Sequence, residues 1–354
     1  MLSRRGWWRW LSLALAVSAL LALVGCGQGG PKSLVVLDWS GYEQEVFWAD
    51  FKAEHPDVKV EWTFFADDSE AYAKLQSGFK ADLVHPNVSW LKIMVANDML
   101  LPIDTSKLSN WDGIMEPLAK MGQVDGVQYL APWEWGYDSI LVRTDKVAEM
   151  PDSWADLWDP QYAGHVSILD SAEAAVVAAS LALGYDPYTL TDAQLAEVKQ
   201  KLIELKPNLL GYWTDYTEIN QQVASGEVWL GANCWPDAYV AVAAQGVPVE
   251  YITPKEGRIA WVYGYAIPKS SANPDLAHDY IDALISVGSM AEMANQYGYG
   301  AANAQVAELT DPALVKLFNL DQPEVLSQSV FFQSLTEEQR ATWTQLWDEV
   351  KAAQ

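Results

Sequence analysis

The octapeptide VVLDWSGY, residues 35–42, decides how the chain is read. Val35, Val36 and Leu37 form a short apolar run between Lys32-Ser33 and Gly41. Such a run, bounded by turn residues, predicts a buried parallel strand. At its carboxyl end the character changes at once. Asp38, Trp39, Ser40 and Tyr42 put a carboxylate, two rings and a hydroxyl within five residues. Ligands of open α/β sheets bind outside the carboxyl ends of strands. An acid beside two rings offers an organic cation both charge neutralisation and a π face. The plainer alternative is a strand-to-helix turn with a capping Ser40 and two packing aromatics.

The pattern repeats downstream. Glu43–His55 has helical spacing and stops at Pro56; Val58–Phe65 (VKVEWTFF) alternates as a strand. Ser69–Gly78 and Leu91–Met99 read as helices around a third strand, Ala81–Val84, which ends in HPNVSW (85–90). YLAPWEW (129–135) and SILVR (139–143) are extended on both sides of Gly136, and RIAWVYGYAI (258–267) is extended again. These two stretches predict crossings between two lobes. Between them come GHVSIL (164–169), an Ala-rich helix over Asp170–Gly184, a helix over Thr191–Leu205, and strands near 208–212, 228–231 and 249–252. Asp152 or Ser153 caps a helix at Trp154, and Asn273 caps one over Pro274–Ile285. A long amphipathic helix spans Thr336–Ala353. Strands alternating with helices throughout predict an α/β fold.

The first residues read as a targeting segment. Arg4, Arg5 and Arg9 form a basic start and Leu11–Val24 an apolar core. The LVGC that follows (23–26) resembles the lipobox of bacterial lipoproteins, in which Cys26 becomes the lipidated first residue. Residues 1–25 are then a signal peptide and 26–32 a tether, with GQGGP (27–31) as its flexible part. The chain is expected to be exported and held on a membrane only by its lipid, facing the periplasm or the cell exterior.

The chain carries 22 Lys and Arg against 47 Asp and Glu. Removing the signal takes away three arginines and no acid, moving the net charge from −25 to −28. Nucleic acid and anionic membrane surfaces are repelled by such a field, whereas cations are attracted. With Cys26 lipidated, Cys234 has no partner, so no disulfide framework is expected. His55, His85, His165 and His278 are scattered, with no metal-binding spacing. No cofactor, no metal and no catalytic group is expected.

Polar and aromatic residues follow four strands: Trp39/Ser40/Tyr42, Asn87/Ser89/Trp90, Asp170/Ser171/Glu173 and Trp235/Asp237. Trp261, Tyr263 and Tyr299 lie near the second crossing. In a two-lobed sheet protein these strand ends face one another across a cleft.

Seven segments in order carry a resemblance: LDWSGY (37–42), ADLVHPN (81–87), APWEWGYDSILVRTD (131–145), SWADLWDPQYAGHVSILD (153–170), SGEVWLGANCW (225–235), PKEGRIAWVYGYAIPKSS (254–271) and YGYGAANA (297–304). The chain resembles the solute-binding proteins of bacterial ABC importers, specifically the spermidine/putrescine-binding group. The resemblance implies a type II periplasmic-binding-protein fold, with two α/β lobes joined by two crossing strands. It places lobe 1 at 33–137 plus 263–311 and lobe 2 at 138–262 plus 312–354. It also implies a monomer that takes a polyamine or other organic cation and delivers it to a permease with an ATPase subunit.

Carried over by position, the family's aromatic box falls on Trp39, Tyr42, Trp261 and Tyr299, and its hydroxyl positions on Ser40 and Asn87. A family Trp falls on Cys234 or Trp235, depending on a one-residue shift, and an acid on Asp237. Two family carboxylates after GHVSIL read Ser171 and Ala174 here, with Asp170 and Glu173 adjacent. A third acid is replaced by Tyr263. The amine-gripping acids therefore read as mostly absent or displaced, which favours a softer, quaternary or bulky amine held by rings. The candidate ligand-binding residues are thus Trp39, Ser40, Tyr42, Asn87, Ser171, Trp235, Asp237, Trp261, Tyr263 and Tyr299. Asp38, Ser89, Glu134, Asp170, Glu173 and Cys234 are further candidates. Glu134, between two Trp at the first crossing, reads either as a replacement acid inside the cleft or, since strict alternation sets it opposite Trp133 and Trp135, as pointing outward into water. The competing readings are the same fold holding a neutral sugar, and a secreted hydrolase, for which no GxSxG elbow is present.

Overall fold

A computed structural model describes residues 33–318, 326 and 328–353; the segments expected to be signal peptide and tether, with Cys26, lie outside the described residues. The apolar run at Val35–Leu37 becomes the strand Ser33–Trp39. It pairs in parallel with Lys59–Phe65 on one side and Leu83–Val84 on the other. This is the arrangement that a short, sealed apolar run calls for, since both faces of a parallel strand are covered.

The sheet continues into two long antiparallel strands, Leu130–Arg143 and Ile259–Pro268, paired from Ile259–Asp138 to Ala266–Leu130. From the far half of the first, it passes through Leu230–Cys234 and Val166–Leu169 to Leu209–Trp213. The two extended segments around Gly136 are therefore one strand of 14 residues, all of them buried. At about 3.3 Å per residue it is long enough to serve both lobes. Gly136 permits this continuity because the Trp261 ring lies against it. A Cβ there would come within 2.3 Å of Trp261 Cζ2.

Two apolar clusters fill the layers on the sheet. One holds Leu34, Val36, Phe47, Trp133 and Tyr265. The other holds Trp154, the helix Ala172–Ala182 and the buried face of the C-terminal helix Glu337–Ala352. The small side chains of Ala172–Ala182 let it sit between the sheet, the helix Asp192–Leu205 and the C-terminal helix. Trp343, Leu346, Trp347 and Val350 recur at helical spacing and are all buried. Thr336 and Gln339 close that helix's amino end with a capping box. A third passage runs beside the two crossings, where Val330–Phe331 pairs in parallel with Ile259–Ala260.

Some local expectations change. Ser153, not Asp152, caps the turn at Trp154, which is a 3₁₀ helix. Asn273 precedes Pro274–Leu284 but its amide goes to the Ser33 carbonyl instead of capping. Glu43–His55 divides into a 3₁₀ turn, Glu45–Trp48, and a short α-helix, Ala49–Glu54. Among the described residues no helix is long and apolar enough to cross a membrane. No cluster of His, Cys, Asp and Glu among them could hold a metal ion.

Candidate ligand-binding site

Strand ends and crossings converge on one ring of aromatic groups. Trp39 meets Tyr263 at 5.8 Å between centroids, Tyr263 meets Trp261 at 5.6 Å, and Trp261 meets Tyr299 at 4.9 Å. Tyr299 stacks on Tyr297, and Tyr297 on Tyr42 at 4.9 Å. His85 closes the circuit, 5.2 Å from Tyr42 and 5.9 Å from Tyr263. Each contact adds roughly 0.5–1.5 kcal/mol beyond burial and fixes the faces presented to a guest. All four box residues read from the sequence lie in this circuit. Tyr297 was not foreseen; its hydroxyl donates to the Gly41 carbonyl at 2.6 Å and holds the WSGY turn in place. Gly41 itself needs its freedom there, with φ at +108°.

The carboxylates give a different picture from the sequence. Glu134 is only 2% exposed, and Tyr42 donates to both of its oxygens at 2.9 Å. The outward orientation expected from alternation fails because the pairing slips opposite it. Tyr263 faces Glu134 while Gly264 faces Pro132, so the crossing strand bulges at Trp133. Trp133 and Trp135 donate their indole N–H groups to the carbonyls of Leu284 and Ala301. Burial pushes the Glu134 carboxyl up to about 7 against the opposing pull of His85 and Tyr42.

Tyr263 stands where the resemblance implies an acid, and it contacts one. Its hydroxyl donates to Asp68 Oδ2 at 3.2 Å, and Asn87 N–H donates to Asp68 Oδ1 at 2.8 Å. Burial raises Asp68 to about 6. Glu173 is likewise raised to about 7 by burial; Arg340 lies 3.4 Å away and counters it. Asp237, at the start of the helix Pro236–Ala243, is raised to about 6 by burial. Asp138, 1% exposed on the first crossing, is pushed well above the carboxylate range by burial. Asn87 serves as a cap, accepting from Ser89 N–H at 2.9 Å, and Ser89 is buried beside it.

Other candidates are committed elsewhere. Asp38 is fully buried and accepts from Tyr265 and from its neighbour's N–H, with His85 Nδ1 at 2.8 Å. Asp170 accepts from Trp347 and Lys351 of the C-terminal helix at 2.7 and 2.9 Å. Ser171 caps the helix Ala172–Ala182 through Ala174 N–H, and Ser40 is exposed. Cys234 is sealed in the core, whereas Trp235 is half-buried and packs edge-on against Trp213. Asp68 and Asp138 escaped the reading: Asp138 lies inside a strand and not at its end, while Asp68 follows the strand ending in Phe64-Phe65 without a ring or hydroxyl at the turn itself to mark it. The only hint for Asp138 was an acid inside an otherwise apolar crossing segment.

Residues 47–317 match the family of bacterial extracellular solute-binding proteins. The chain belongs to this family. This solute-binding protein is 28% identical over 311 residues to the spermidine/putrescine-binding periplasmic protein of Salmonella typhimurium, covering 86% of this chain and 87% of that one. It is 24% identical to the putrescine/cadaverine-binding protein of Pseudomonas aeruginosa, over 95% of this chain and 98% of that one. Among solved structures it is similar to the spermidine/putrescine substrate-binding protein of Streptococcus pneumoniae, with a TM-score of 0.78 at 23% identity, covering 91% of this chain and 99% of that one. The Treponema pallidum lipoprotein Tp0655 gives 0.79 at 22%, over 90% of this chain and 99% of that one. The two-lobed fold and the resemblance drawn from the motifs are thereby borne out. Members of the family are binding proteins of transport systems and not enzymes, so the hydrolase reading falls away.

Proposed function

We propose that this solute-binding protein captures a polyamine or a closely related organic cation between its lobes and delivers it to an ABC permease driven by an ATPase subunit. The observation that carries the reading is a charge imbalance. Five carboxylates, the buried Glu134 and Asp138 and the half-buried Asp68, Glu173 and Asp237, line or adjoin the aromatic circuit with their ionised forms disfavoured by desolvation. Among the described residues, Arg340 and His85 act on them as opposing cations. A guest bearing two or more ammonium groups supplies the missing charge, and the rings supply its π contacts. This revises the softer-cation expectation, since acids from new positions stand in for those displaced at Ser171, Ala174 and Tyr263. The polyamine-binding names of the relatives support the same class.

Closure follows from the layout. Lobe 1 (33–137 plus 263–311) and lobe 2 (138–262 plus 312–354) pivot on the crossings, and closing removes water from the acids and strengthens their pairing with the guest. Cys26 anchors the monomer to the membrane through lipid, facing the periplasm or the exterior.

A thermal-shift panel on the chain from Ser33 onward tests this, because a ligand bound only by the folded state raises the melting point by mass action. Putrescine, cadaverine or spermidine at a hundredfold excess over Kd is expected to stabilise by about 2.7 kcal/mol. A response to quaternary amines alone would return the site to the softer-cation class. A response to sugars alone would remove the cation reading.

A further inference from the structure

We infer that Asp138, with the Asn233 amide beside it, is the anchoring carboxylate for one ammonium group of the bound cation and sets the preference for amines over quaternary cations. The inference rests on the organic-cation reading above and adds to it a residue and a selectivity.

The geometry is that of a site lacking one partner. Asp138 sits on the first crossing opposite Ile259, two residues beyond Gly136, where the Trp261 ring lies. Asn233, Trp235 and Trp261 lie close enough to favour its ionised form. Asn233 and Trp261 approach it only loosely. Asp138 Oδ1, both amide atoms of Asn233 and Trp261 Nε1 are buried without a hydrogen-bond partner among the described residues. Buried polar atoms left in this way are costly, so four at one spot call for a guest. Asn233 is held in a left-handed conformation, φ 58°, at a break in the pairing between Gly231 and Cys234. For a non-glycine residue that conformation is uncommon and marks a position held by its surroundings.

The charged side chain acting on Asp138 itself is another acid. Glu173, from the helix Ala172–Ala182, repels it. The Cys234 thiol and the Tyr251 hydroxyl, also near, are themselves pushed up by burial and by Asp138. Arg258, the cation nearest Tyr251, is spent on the carbonyls of Tyr251 and Ile252 and on the Tyr137 and Tyr251 rings. Arg340 pairs with Glu173 and the Ser89 carbonyl and stacks on Trp90. An ammonium donates N–H bonds to a carboxylate and to an amide oxygen at once; a quaternary nitrogen has no N–H to donate. An ammonium here favours the ionised carboxylate, against the burial that disfavours it.

The test is calorimetric titration of putrescine and choline into the wild-type chain, Asp138→Asn and Asp138→Glu, each in two buffers of different ionisation enthalpy. Asp138→Asn is expected to weaken putrescine about 10- to 100-fold, to leave choline within about threefold, and to release fewer protons per ligand bound; Asp138→Glu recovers part of the affinity. Unchanged putrescine affinity and proton release in a folded Asp138→Asn would overturn the inference while leaving the cation reading intact. Should that variant fail to fold, a wild-type chain that binds choline as tightly as putrescine overturns it equally. A wild-type chain that binds neither probe removes both readings together.

Discussion

Trp133→Ala is expected to destabilise the protein by about 3–5 kcal/mol, the range for removing a fully buried indole. Trp133 is wholly buried, and its ring touches Tyr42, Phe47, His85 and Tyr265 within 5.7 Å between centroids. Its N–H satisfies the Leu284 carbonyl at 2.8 Å, which the truncation would leave buried and unpaired. Partial collapse of the neighbours cannot recover the loss, because Tyr42 is pinned to Glu134 and Tyr265 to Asp38. Against a typical total of about 5–15 kcal/mol, the effect is large enough to read from a urea midpoint alone. A loss under about 1 kcal/mol would mean that the floor of the site repacks freely. The same variant should also weaken ligand binding, since Trp133 is what Tyr42 rests on.

The ligand-free protein is expected to be most stable near pH 5 and to lose stability as the pH rises to 8. Glu134 and Glu173 titrate at about 7 in the folded chain and Asp68 and Asp237 at about 6, because burial disfavours their charged forms. In the unfolded chain they lose their protons near pH 4. Between those values the folded state holds protons that the unfolded state has released, so raising the pH favours unfolding. His85, raised chiefly by Asp38 against the cost of its burial, acts in the same direction; its contribution is complete below about 6.5 and fades above its raised value. The exposed acids held low by their hydrogen bonds, such as Asp104 and Asp275, act in the opposite sense only below about pH 4. A shift from 4.5 to about 7 corresponds to about 3 kcal/mol for Glu134 alone. The four interact, so about 3–6 kcal/mol is expected for the whole over this range. Thermal melts from pH 4 to 9 read it directly. A saturating polyamine should flatten the slope, because its ammonium groups favour the ionised carboxylates. Melting temperatures that climb from pH 5 to 8 without ligand would contradict the buried-acid description.

What the sequence made legible follows its local signals. VVLDWSGY predicted its own strand, and YGYGAANA and RIAWVYGYAI placed the rings, because period-two runs and turn residues act within a few positions. Residues 116–128 were left unread although the signal was present. Asp125-Gly126, between Gln123–Val124 and Val127–Gln128, is an Asp-Gly hairpin with both turn residues at positive φ. The acids were hidden for a different reason. Glu134 turns inward only because the two crossings slip by one residue opposite it. Asp68 reaches the site through Tyr263, 195 positions away, and Asp138 through a break in a strand 93 or more positions on. Register between distant strands is a tertiary property that no window of residues contains. A reading built on strand-end turns therefore found the aromatic circuit and misjudged the charge.

The most direct test of the central claim is calorimetric titration of putrescine and spermidine into the ligand-free chain from Ser33 onward at pH 7.5, in low and in moderate salt. The account predicts one site per chain, micromolar or tighter affinity for at least one of the two, and protons released on binding. Affinity should fall only modestly with salt, since pairs with buried acids are screened little. Neither amine producing heat at millimolar concentration, in a sample whose melt shows it folded, would contradict the account.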